Sequence, residues 1–132
     1  MIKFTKKLGI IQMTNHWGVI EIDFTNHTFN FGDSLNLTPP RNTLTVLRQW
    51  LLSVGEKTEM QTNFSRLDVP FQGPGSGSCG VIAVNTIERA VNPAIPKWTN
   101  ETSAYHRIRY LKLLTNYEQV CIVKGMLKYI RH

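Results

Sequence analysis

At 132 residues, with 42% hydrophobic and 18% charged side chains, the chain has the length and composition of one ordinary domain that buries a core, which excludes a disordered protein. No apolar run approaches the ~20 residues of a membrane-spanning helix, so no membrane partner is expected. The net charge of +6 would suit nucleic acid or an acidic protein, but solvated basic helix faces account for it more simply, and nucleic-acid binding stands only as a weaker alternative.

The opening stretch MIKFTKKLGIIQM places lysines ahead of a short apolar run, Leu8 to Met13. That run is too short for the core of an export signal and no small-residue cleavage site follows it; Gly9 to Met13 reads as a strand. WGVIEID (Trp17 to Asp23) reads as a second strand, alternating from Val19, with TNH as a tight connection between the two. A turn signal at Thr25 and Asn26 precedes a third strand through Phe29 and Phe31, so the three form an antiparallel meander. Asn42 to Val54 carries Leu44, Leu47, Trp50, Leu51 and Val54 at helical spacing, with Asn42 or Thr43 as the cap and Gly55 as the stop. SRLDVPF is a short strand candidate ending at Pro70. A helix follows from Cys79 with Val81, Ile82, Val84, Ile87 and Val91 on it, ending near NPAIP, and one long or two shorter amphipathic helices occupy about 103–131. The layout is α+β: a small, mainly antiparallel sheet packed with helices, in a single domain over 1–132.

Only two cysteines occur, Cys79 and Cys121. They do not make a disulfide framework, and a zinc site would need four converging ligands. The sequons at Asn26, Asn36, Asn63 and Asn100 reflect Asn and Thr richness in the absence of an export signal. An intracellular location, nuclear or cytoplasmic, is expected. Cys121, between Val120 and Ile122, reads as core. His27 reads as a turn residue, His106 and His132 as solvated, and Trp50 and Trp98 as packing residues.

The stretch QGPGSGSCGV, Gln72 to Val81, poses the functional question. A phosphate-binding loop of the Walker type requires a lysine after its last glycine, and no lysine lies between Lys57 and Lys97. A cysteine-phosphatase loop requires an arginine six positions after the cysteine to clamp phosphate; that position is Asn85. Two readings remain: a buried core cysteine, or a nucleophile at a helix N-terminus, where the macrodipole favours thiolate. The nucleophile needs a base, a group that orients the base, and an oxyanion donor. His16 heads the second strand and Asp33 ends the third. Antiparallel neighbours set the start of one beside the end of the next. Gln72 precedes the glycine loop and carries an amide donor. Each alone has an ordinary structural reading; jointly they fit a Cys–His–Asp triad with a Gln-assisted oxyanion hole.

NHWGVIEIDFTNHTFNFGDSL followed by QGPGSGSCGV resembles the cysteine proteases specific for ubiquitin-like proteins, the SUMO-protease family. The shared pattern is His-Trp, an alternating strand closing on Asp, a further strand with Asp-Ser, then Gln ahead of a Cys-Gly that opens a helix. The resemblance covers Gly9 to about Val91. It implies an adenain/SUMO-protease type of fold with Cys79 as nucleophile, His16 as general base and Asp33 as its orienter. Gln72 and the Cys79 N–H would form the oxyanion hole, and Trp17 would line the tunnel for the substrate's Gly-Gly tail. The glycines would let the backbone pass close to the scissile carbonyl. The implied activity is hydrolysis of peptide or isopeptide bonds after the C-terminal glycine of a ubiquitin-like protein, with no cofactor and no metal. An inactive fragment that binds such a partner is the alternative. Three departures stand out. Gln72 lies one residue further from Cys79 than the family's usual spacing, Ser78 replaces a common aspartate, and fifteen residues precede His16 where the family has a sizeable region. An N-terminally truncated member is therefore expected.

Overall fold

The computed structural model describes residues 5–73 and 75–130, with side-chain surroundings through residue 116. The chain divides into two compact units, Met1–Trp98 and Thr99–His132. The first holds β1 (Lys6–Met13), β2 (His16–Asp23), β3 (Thr28–Gly32), α1 (Thr43–Ser53), β4 (Phe64–Arg66) and α2 (Cys79–Val91). The second holds α3 (Ser103–Ile130). No helix among the described residues is long and apolar enough to cross a membrane.

The three expected strands form an antiparallel meander, β1 pairing with β2 and β2 with β3. The first hairpin is tighter than TNH suggests: Met13 pairs with His16, leaving Thr14 and Asn15 as a two-residue loop with Asn15 at φ 51°, a conformation asparagine tolerates. His27 likewise sits in a turn at φ 57°. The fourth strand covers only Phe64–Arg66 and lies parallel to β3, giving the order β1-β2-β3-β4. A parallel neighbour needs a crossover rather than a hairpin, and the segment carrying α1 supplies it.

Between β1 and β3, β2 is buried from Gly18 to Asp23. Its apolar/polar alternation therefore marks two covered faces, not one covered and one wet. On one face Ile20 pairs with Phe31 and Ile22 with Phe29. Ile22, Phe29, Leu51 and Met60 make a core cluster there, with Leu44 and Leu47 of α1 and Phe64 packed against it. The second face carries Val19 and Glu21, opposite Gly32 and Asn30, and α2 packs on this strand. Glu21, buried, accepts a hydrogen bond from Asn30 at 2.7 Å. Val69, Ile82 and Trp98 form the second cluster.

The helices bury less of their apolar sequence than spacing suggests. In α1, Leu51 is buried but Trp50 and Val54 are 39% and 57% exposed; Trp50 packs instead under the Lys7 ammonium, 5.0 Å from its ring centroid. Asn42 occupies the N-cap without a side-chain capping bond. Gly55 ends the helix as expected, at φ 79°. Its N–H bonds Leu52 O while Glu56 N–H bonds Leu51 O, the paired bonds of a Schellman motif. In α2 the buried residues are Ile82, Ala83 and Asn85, while Val84 and Val91 are exposed. Asn85 donates to Pro96 O at 3.0 Å and accepts from Trp98 N–H at 2.8 Å, tying the returning chain to the helix. Trp98 is buried, as expected of a packing residue. His106, expected in solvent, is instead buried, with the Tyr105 and Tyr110 rings against it. The expected core placement of Cys121 lies outside the described residues.

Two positions yield measurable expectations. A Cβ on Gly32 would sit 2.6 Å from Val69 Cγ1 and 3.0 Å from Leu67 O. Gly32→Ala is expected to destabilise the fold by roughly 1–3 kcal/mol, read from a urea unfolding midpoint. Asp23 accepts N–H bonds from Asn26 and Thr25 at 3.0 and 2.9 Å, and one from the Asn26 side chain at 2.9 Å. The Asn26 backbone N–H leads these in holding its carboxyl below the ordinary 3.8, against the cost of burial, with Lys6 adding to it. Stability from this group is therefore present above pH 3.8 and lost as pH falls through the lowered folded value. The stability gap between wild type and Asp23→Ala should shrink on acidification; a gap independent of pH would contradict this origin.

Candidate active site

The β2–β3 pairing sets up the site. Val19 opposite Gly32 fixes where the chain leaves the ladder, so His16, at the start of β2, lies beside Asp33, the residue after β3. The His16 imidazole Nε2 is hydrogen-bonded to Asp33 Oδ1, and both side chains are buried. The other carboxylate oxygen, Oδ2, accepts the backbone N–H groups of Leu37 at 2.6 Å and Leu35 at 3.3 Å. The loop after β3 thus grips the carboxylate from behind and sets the face it shows to the imidazole. With Nε2 held by Asp33, Nδ1 is the nitrogen left to take up and return a proton.

Cys79 is the first residue of α2 and half-buried. It borders a tight crevice with Trp17, Gly18, Val19, Gly32, Ser34, Val69, Ile82 and Ala83. A Cβ on Gly80 would stand 3.7 Å from Trp17 Cδ1, so the first turn of α2 meets the start of β2. Trp17 keeps 41% of its surface exposed, leaving an indole face at the mouth of the crevice. Among the described residues, no hydrogen bond joins Cys79 to His16 or to Gln72. Nucleophile–base contacts are commonly loose before a substrate seats.

Gln72 is buried and anchored to one residue. Its N–H bonds Ser34 O at 2.9 Å, and its Oε1 accepts the Ser34 hydroxyl at 2.6 Å. Ser78, the N-cap of α2, makes no side-chain capping bond, so its hydroxyl does not consume the first-turn N–H groups an oxyanion would use. Two glycines of the intervening loop answer a requirement of the backbone itself. Gly75 and Gly77 stand at φ 72° and 61°, and a Cβ at either would meet nothing within 4 Å. A left-handed backbone asks for glycine at these two positions.

Sequence reasoning missed two residues. Ser34 was visible only as the second half of Asp-Ser, and Asn85 only as the missing arginine of another chemistry. A buried side chain that bonds distant backbone leaves no local pattern. Among the described residues no group of three or more His, Cys, Asp or Glu could hold a metal ion. A broad cleft of about 1540 Å³, lined by Lys7, Phe24, His27, Trp50 and Met60 among others, contains none of the site residues.

No family model matches the sequence, and no curated protein matches it. Solved structures do match. The SUMO protease Ulp1 with its catalytic cysteine oxidised to a sulfenic acid superposes with a TM-score of 0.61 at 21% identity, over 78% of this chain and 49% of that one. The C-terminal Ulp1 protease domain in complex with Smt3, the yeast ortholog of SUMO, gives 0.55 at 23% identity, over 77% and 48%. The chain therefore spans about half the length of these domains, and the likeness at this identity concerns the fold: an α+β arrangement of a four-stranded sheet with helices, of the Ulp1 protease type.

Proposed function

We propose that the chain carries the catalytic half of an intracellular thiol protease that cleaves after the C-terminal glycine of a ubiquitin-like protein. The observation that carries this reading is the buried His16–Asp33 pair at the end of the β2–β3 ladder, beside a helix that begins on Cys79. A solved domain of the same fold that holds Smt3 supports the substrate class. In this reading His16 Nδ1 takes the proton from the Cys79 thiol as sulfur attacks the glycyl carbonyl carbon. The oxyanion is met by Gln72 Nε2–H and the Cys79 N–H. The collapsing intermediate expels the amine, which leaves with the proton from His16. His16 then takes a proton from water as its oxygen attacks the thioester, and the carboxylate product departs with Cys79 restored. Asp33 keeps the imidazole in one tautomer and orientation throughout. Trp17, exposed beside the thiol, suits a wall for a narrow Gly-Gly tail.

A second reading is binding without turnover, and one observation favours it: among the described residues no hydrogen bond joins Cys79 to His16. The two differ in covalent chemistry. Ubiquitin and SUMO carrying a C-terminal vinyl ester are expected to label Cys79 of the 132-residue chain and to leave Cys79→Ala unmodified. A folded chain that holds either protein reversibly and is never labelled would establish the binding module instead. Asp33→Asn should slow labelling by about 10²-fold or more, because the amide favours the wrong imidazole tautomer, with Cys79 still the residue modified.

A further inference from the structure

Gln72 needs its amide facing one way to serve as an oxyanion donor, and a glutamine side chain has no intrinsic preference of that kind. Ser34 supplies one. Its carbonyl accepts the Gln72 N–H at 2.9 Å and its hydroxyl donates to Gln72 Oε1 at 2.6 Å; Ser34 and Gln72 are 2% and 5% exposed. The carbonyl end of the amide is thereby occupied, while no hydrogen bond within the described residues engages Nε2. Only the N–H groups remain to be offered. Ser34 also borders the crevice lined by Cys79 and Trp17, so the residue that holds the amide belongs to the thiol's surroundings.

We propose that Ser34 is the positioning residue of the oxyanion hole. It holds Gln72 at two points, so that Nε2–H is the group presented to a carbonyl oxygen at Cys79. Asp33 and Ser34 then divide the work between neighbouring residues: the first orients the base, the second orients the oxyanion donor. The inference rests on the protease reading given above for its chemical consequence, but the Ser34–Gln72 geometry can be tested without it.

The experiment compares wild type, Ser34→Ala, Gln72→Ala and the double variant of the full chain. Substrates are ubiquitin and SUMO bearing a C-terminal aminocoumarin amide, and Cys79 alkylation by chloroacetamide is followed in parallel. Alkylation is displacement at saturated carbon and builds no oxyanion, so it should be unchanged in all four proteins. Ser34→Ala is expected to lower kcat about tenfold with KM unchanged, as for one lost hydrogen bond. Gln72→Ala should lower it by about 10²–10³. The double variant should match Gln72→Ala, because Ser34 acts only through Gln72. Wild-type turnover by Ser34→Ala would overturn the proposal. So would a double variant slower than Gln72→Ala by the full Ser34 factor, or alkylation that falls together with kcat. If folded wild type hydrolyses neither substrate, the protease reading fails. The positioning is then decided by the Gln72 side-chain NH₂ resonances of ¹⁵N-labelled protein, which should collapse toward free-amide values in Ser34→Ala; resonances that stay in place refute it.

Discussion

The antiparallel pairing that sets Val19 opposite Gly32 is the constraint from which the rest of the site follows. It decides that the chain enters β2 and leaves β3 at the same end of the sheet. His16 and Asp33, seventeen positions apart, become neighbours without any dedicated loop to join them. A slip of one residue would turn every side chain of one strand to the wrong face, moving Ile22 off the core cluster and separating the His16 imidazole from the Asp33 carboxylate in the same step. Packing and site geometry therefore resist the same error. Gly32 adds a second condition at this corner, since the chain running from Leu67 to Val69 passes too close for a side chain there.

Several buried polar side chains of the first unit are held by a partner. His16 has Asp33, Gln72 has Ser34, Glu21 has Asn30, and Asn85 has the backbone at Pro96 and Trp98. Each pairing removes an unsatisfied buried group, which would cost about 1–3 kcal/mol. For Glu21 and Asn85 the pairing is structural: the one bridges two strands and the other fastens the exit of α2. For Asp33 and Ser34 it also aims a group. Consecutive residues beyond β3 reach partners from different parts of the chain, one at the start of β2 and the other just ahead of the glycine loop.

Much of this arrangement was legible because it rests on short-range signals. Apolar alternation marked the meander, the lone histidine before a tryptophan marked the head of β2, and the small-residue run marked a loop that opens a helix on Cys79. Helical spacing located α1 and α2 to within a residue or two but overstated their buried faces. Trp50, Val54, Val84 and Val91 have the right period and are exposed, because the sheet covers only part of each helix and period alone does not say how wide the covered stripe is. In β2 the alternation likewise does not say whether the polar face is covered: Glu21 is buried against Asn30 of β3 and Lys6 of β1. For the glycine loop, the sequence identified where glycine was needed, and the backbone dihedrals add that Gly75 and Gly77 stand at positive φ.

What the sequence determined by itself was the cast and its order: the strands, the two helices of the first unit, and a His, Asp, Gln and Cys in that succession, each tied to a local pattern of spacing or to a turn. What only the tertiary structure decided was contact. The choice of Nε2 for Asp33, the grip of Ser34 on Gln72, the parallel placement of β4 beside β3 and the burial of Asn85 depend on residues far apart in the chain being brought within hydrogen-bonding range. Such bonds reach only about 3 Å and are made by whichever groups the packing delivers, so no periodicity along the chain records them.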